Sequence, residues 1–163
     1  MTAQAKTENA AAETDGQDGK YLTFFIGEEC YGLEIRHVTE IIGMQKVTSV
    51  PDVPAYLKGV INLRGKVIPI MDVRLRFGLP SREYDDRTCI VVIHVDAHIV
   101  GLVVDTVSEV LDIGAAQIEK AGALAGRGKG YIQGLGKVGE DVKILLDADR
   151  VLSDVDFENM QVA

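Results

Sequence analysis

Tyr31-Gly32-Leu33-Glu34-Ile35-Arg36-His37-Val38-Thr39-Glu40-Ile41-Ile42 aligns without a gap on Val100-Gly101-Leu102-Val103-Val104-Asp105-Thr106-Val107-Ser108-Glu109-Val110-Leu111. Gly, Leu, Val and Glu recur at matched positions, and a duplicated unit changes how every other residue is read. Each copy follows an apolar strand and a turn. In the first copy these are residues 21–26 and Gly27-Glu28-Glu29, and in the second residues 88–95 and Asp96-Ala97-His98. Runs of β-branched and aromatic residues separated by such turns read as hairpins. Further on, Gly59-Val60-Ile61-Asn62-Leu63-Arg64-Gly65-Lys66-Val67 matches Gly130-Tyr131-Ile132-Gln133-Gly134-Leu135-Gly136-Lys137-Val138, and both copies then run through an apolar strand into Asp72 or Asp147 and a helical turn. The order is the same twice, so the expected fold is all-β: two tandem five-stranded SH3-like β-barrel subdomains, closed so that few sheet edges stay free.

Local chemistry fills in the plan. Gly65 supplies the positive φ that a tight turn between residues 60–63 and 67–71 demands. Pro69 points to an edge position for its strand, because proline lacks the N–H of a ladder bond. Asp72 caps a short connecting helix over residues 73–77, ended by Gly78 with Pro80 beyond, and a short C-terminal helix follows Asp147. Gly32 and Gly101 recur on strands, where a close backbone approach excludes a side chain. The charged stretch 81–87 reads as the linker, giving a first barrel at about 20–84 and a second at about 88–153, a scheme that admits exchange of strands between them. Residues 154–163 form a C-terminal extension. Residues 1–19, with Met1 as their only large apolar side chain, read as a disordered tail.

The chain has 163 residues, 47% of them apolar, enough to bury a core without a metal or disulfide staple. Only Cys30 and Cys89 could bridge, and nothing in the sequence suggests that they do. A polar N-terminus without an apolar h-region, and apolar runs no longer than strands, point to a cytoplasmic protein without membrane insertion. Net charge −8 and pI 4.8 oppose binding to a phosphate backbone. With only 6% aromatic residues the chain also lacks the stacking platform of a single-strand binder. Protein partners are the expectation.

Catalytic patterns fail in detail. Gly126-Arg127-Gly128-Lys129-Gly130 falls short of a P-loop, which needs Gly at Ala123 and Ser or Thr at Gly130; a mobile loop between Gln117 and Tyr131 accounts for it. His94 and His98 flank a turn without a third metal ligand, and Asp85-Asp86 sits in the charged linker as a solvated pair. No sheltered acid–base constellation or nucleophile elbow is present, so neither an enzyme nor a cofactor is expected. What stands out is Arg64, which faces Leu135 in the aligned second copy. An arginine on a tight turn can hold a carboxylate, and Glu40 is the candidate, although its recurrence as Glu109 also fits a merely solvated carboxylate in both barrels.

Four blocks carry a resemblance: Tyr31-Gly32-Leu33-Glu34-Ile35 with Val38 and Glu40-Ile41, the stretch from Pro51 to Pro54, Gly59-Val60-Ile61-Asn62-Leu63-Arg64-Gly65, and Val100-Gly101-Leu102-Val103-Val104-Asp105. Over residues 20–153 the sequence resembles the CheW-like adaptor family of bacterial chemotaxis. The resemblance implies two barrels around a shared hydrophobic core. It also implies a non-enzymatic adaptor that joins chemoreceptor cytoplasmic tips to the regulatory domain of the histidine kinase CheA in membrane receptor arrays, or a paralogue serving surface motility. Carried over by motif, the receptor and signalling surface comprises Val38, Glu40, Gly59, Asn62, Arg64, Val107 and Val110; Gly32, Gly65, Gly101 and Asp105 are structural positions. Family members use the neighbourhood of residues 115–129 in lateral ring contacts.

Overall fold

The structure, a computed structural model, describes residues 19–120, 130–155 and 157. The expected tail therefore lies outside the described residues except for Gly19, as do residues 121–129 of the expected mobile loop. Two hairpins form where turn chemistry places them. β1 (Lys20–Ile26) pairs antiparallel with β2 (Glu29–Glu34) across Gly27 at φ 64. β4 (Leu57–Leu63) pairs with β5 (Lys66–Asp72) across Arg64 and Gly65. Between them, β3 (Val38–Gly43) follows a 3₁₀ turn. Asp72 caps α1 (Val73–Arg76) by accepting from the N–H of Leu75, and Gly78 at φ 79 ends the turn. The second half repeats the series with β6 (Cys89–Val95), β7 (His98–Val104), β8 (Thr106–Asp112), β10 (Ile132–Val138), β11 (Asp141–Leu146) and α2 (Ala148–Leu152), which Asp147 caps. β9 (Ile118–Lys120) is an addition: three residues of the expected loop hydrogen-bond along β10.

The sheets do not follow the halves of the sequence. A six-stranded sheet runs β8-β1-β2-β11-β10-β9, and a five-stranded sheet runs β3-β6-β7-β5-β4. Each half thus lends its first hairpin to the other: β1–β2 joins β8 and β11, while β6–β7 joins β3 and β5, through the parallel pairs β2/β11 and β5/β7. Neither sheet closes into a barrel by backbone hydrogen bonds among the described residues. The chain from β3 to β4 is spent on a crossing that forms one isolated bridge to β4 at Thr48, whose N–H and C=O bond Val60 at 2.8 and 2.9 Å.

Pro69 does not mark an edge, since β5 lies between β7 and β4. Its missing N–H is tolerated because the parallel ladder to β7 starts one residue later, at Ile70, and because Val60 opposite directs its own bonds to Thr48. Gly32 and Gly101 are crowded by side chains rather than backbone. A Cβ on Gly32 would lie 2.9 Å from Leu145, and one on Gly101 2.7 Å from both Ile70 and Ile90. Asp85 is exposed, as expected of the linker, and it also accepts from the N–H groups of Arg87 and Thr88, which hold its carboxyl below the ordinary range. Tyr84 in the same stretch donates to buried Asp72 at 2.6 Å, with its hydroxyl pushed up by burial and by that carboxylate. Cys30 and Cys89 are free thiols.

Three apolar clusters follow from this weave. One, between the sheets, unites Leu22, Phe24 and Leu33 with Met71, Leu102 and Val151 from the other elements. Two smaller clusters fill the hollows of the five-stranded sheet (Ile61, Ile70, Ile90) and the six-stranded sheet (Tyr21, Ile113, Leu145). Phe157 of the expected extension is buried in the first cluster, with exposed His98 tilted against its ring at 5.1 Å between centroids.

Candidate functional site

Hydrogen-bond register corrects the alignment of the two copies. The N–H of Asp72 bonds the carbonyl of Tyr56 just as that of Asp147 bonds Tyr131, and the β4–β5 ladder is broken between Leu57 and Gly59 as the β10–β11 ladder is between Ile132 and Gly134. Arg64 is therefore matched by Gly139, not by Leu135, which lies inside β10. The slip arises because Gly-rich strands with alternating apolar residues match themselves in more than one register.

Arg64 (φ 51) and Gly65 (φ 87) make a two-residue turn with both positions left-handed, the form that suits strand twist. Asn62 steadies it by accepting the Gly65 N–H on Oδ1 at 2.9 Å. β3 alternates half-buried and exposed residues, and a register shift beside Val38 sets Glu40 on the inward row with Ile42. The Arg64 guanidinium reaches across and donates to the Glu40 carboxylate, joining the two ends of the five-stranded sheet where the backbone leaves them apart. Below the pair opens a cleft of about 290 Å³, floored by Leu63, Ile68, Val92 and Ile99 and rimmed by Glu40, Arg64 and Lys66. An apolar floor with a charged rim is a shape that can take an aliphatic side chain of a protein segment beside a charged one.

Other candidates fall elsewhere. Gly59 is buried at φ 143, and a Cβ there would sit 2.0 Å from the Thr48 carbonyl oxygen, so it belongs to the framework and not to a surface. Val38 and Val107 hold matched places on β3 and β8 and both pack against the cluster between the sheets. Val110 is 51% exposed on β8, and Ile41, its match on β3, is 44% exposed. Val67 and Val142 form a second matched and exposed pair. Ile41 and Lys66 escaped the sequence reading; the signal for Ile41 was its match to Val110, whereas nothing marked Lys66.

Asp105 lies where the chain passes from β7 in one sheet to β8 in the other, and its carboxylate collects Arg74 at 2.7 and 2.9 Å, Arg82 at 2.9 Å and the Gly27 N–H at 2.7 Å. Burial pushes that carboxyl up, but the bonds from Arg74 and Gly27 and the charges of Arg74 and Arg82 outweigh it and hold the group below the ordinary range. Arg76 ties the halves at another point: it lies over the rings of Tyr56 and Tyr131 and donates to the carbonyls of Val151 and Ser153. Among the described residues, no group of three or more His, Cys, Asp or Glu side chains could hold a metal, and no helix is long and apolar enough to cross a membrane.

Residues 20–156 match the family model for the CheW-like domain. The chemotaxis protein CheW of Klebsiella aerogenes is 40% identical over 154 residues, covering 94% of this chain and 92% of that one. The CheW of Treponema pallidum is 31% identical over 144 residues, covering 85% of each. The crystal structure of the scaffolding protein TtCheW from Thermoanaerobacter tengcongensis superposes with a TM-score of 0.79 at 30% identity, covering 89% of this chain and 99% of that one.

Proposed function

Because the chain belongs to the CheW-like family of chemotaxis scaffold proteins, we propose that it couples chemoreceptor cytoplasmic tips to the regulatory domain of the histidine kinase CheA, working in the cytoplasm at membrane receptor arrays. Binding alone suffices for such coupling, because an adaptor shifts kinase activity by its different affinity for the kinase's active and inactive arrangements. The observation that carries the reading is the Glu40–Arg64 pair over its apolar cleft. Arg64 holds a left-handed backbone position that the matched turn gives to Gly139, so folding does not ask for arginine there. The cleft suits a side-chain ridge of a helical receptor tip, and Asn62 on the same hairpin and Val38, Val107 and Val110 outside the cleft are proposed as further contacts of the coupling surface.

Arg64→Ala should leave thermal unfolding of the isolated protein unchanged while lowering kinase activation in reconstituted receptor arrays severalfold. Wild-type coupling by that variant, or its failure to fold, removes Arg64 from the signalling surface. Pull-down with a receptor-tip fragment and with the kinase regulatory domain tests the wider reading.

A further inference from the structure

The hairpin tip that carries Arg64 has a sister at Gly139 and Glu140, matched in ladder register, left-handed at its first position like Arg64 but not at its second, and opposite in charge. Gly139 (φ 62) stands where Arg64 does, Asp141 where Lys66 does, and Lys143 where Ile68 lines the cleft. The β3 carboxylate Glu40 is kept as Glu109 on β8. Neither cation is thus required by the hairpin. At the first mouth Arg64 and Lys66 outnumber Glu40, a local reversal of sign in a chain of net charge −8. Arg64 reaches Glu40 through one guanidinium nitrogen and its side chain is 69% exposed, which leaves other donors of the planar fork for a second carboxylate. Lys66, exposed at the start of β5, adds a point charge beside it.

We propose that Arg64 and Lys66 together receive an acidic side chain of the docking partner, with a neighbouring aliphatic side chain of the same segment entering the floor of Leu63, Ile68, Val92 and Ile99. The inference rests on the receptor-coupling reading and narrows it: the docked stretch of receptor helix is acidic and aliphatic, Lys66 contributes to its selection, and the sister hairpin, with Glu140 and Asp141 at its tip, repels it.

Arg64→Gly and Lys66→Asp each install the residue that the sister tip already carries, so both variants keep the hairpin. Calorimetric titration with a soluble receptor-tip fragment at about 50 and 200 mM salt reads the effect, since the screening length shortens across that range. The unsubstituted chain should bind more weakly at the higher salt. Lys66→Asp should weaken binding roughly tenfold and flatten the salt dependence, while affinity for the kinase regulatory domain stays unchanged. Full-strength binding by Lys66→Asp overturns the proposal, and so does undiminished binding of a fragment whose tip carboxylates are all changed to amides. If the unsubstituted chain fails to bind the fragment at either salt, the coupling reading itself falls and this inference falls with it, an outcome distinct from a variant that binds as well as the parent.

Discussion

Asp105 concentrates two arginines and a backbone N–H on one carboxylate only 13% exposed, so removing its charge leaves Arg74, itself 16% exposed, without its hydrogen-bonded ion-pair partner. Asp105→Asn should therefore cost roughly 3 kcal/mol in urea unfolding, the scale for breaking a buried pair. The sign of its pH dependence follows from the lowered folded pKa. The stabilisation is complete above the unfolded value of about 4 and is lost as pH falls through the folded one. The parent should lose stability down that acid limb while Asp105→Asn shows a shallower fall; parallel curves would count against the clasp. Sequence reading marked Asp105 as structural through its motif, yet its partners were invisible, because Gly27, Arg74 and Arg82 come to it from other parts of the chain. The Glu40–Arg64 contact was legible because Arg64 has no cation at the matched position of the second copy, a contrast that survives the shift of its match from Leu135 to Gly139, and because Glu40 ends the neighbouring motif. Lys66 was not, since a lone lysine at a strand start looks like any solvated charge.

At the scale of an element, the ladder break in β4 depends on a single missing methyl group. Gly59→Ala would drive a Cβ to within 2.0 Å of the Thr48 carbonyl from a backbone at φ 143, so it should cost about 3 kcal/mol or more. Gly43→Ala, with nothing within 4 Å of its Cβ, is the control and should change the denaturation midpoint little. Comparable midpoints for the two variants would show that β4 yields at the break. Hairpins and caps were readable because they are settled by neighbours in sequence: Gly27, Gly65, Asp72 and Gly78 each act within a few residues. Pro69 misled because the edge rule concerns one N–H, not a whole strand; β5 spends that residue just before its parallel ladder begins. β9 was missed because a three-residue strand has too little pattern to separate from a loop.

Across the whole molecule, duplication was plain in the sequence and the sheet order was not. β3 sits beside β6, and its match β8 sits beside β1; two copies so alike offer each strand two similar partners, and only packing of the cluster between the sheets chooses. A fragment ending at residue 84 would leave β3 without β6 and β5 without β7. It should show no cooperative melt by circular dichroism, whereas mixing it with residues 85–163 should restore one; a cooperative melt of the lone fragment would mean that strands re-pair within a half. The same exchange bears on how the protein is made. β1 is translated early, but β8 and, through β2, the parallel partner β11 emerge only when most of the message has been read. At about 5–20 residues per second, the first hairpin waits on the order of ten seconds beside the ribosome with its edges unclaimed. Chaperone demand during synthesis should therefore track translation speed through the second half of the gene, rather than the stability of the finished protein.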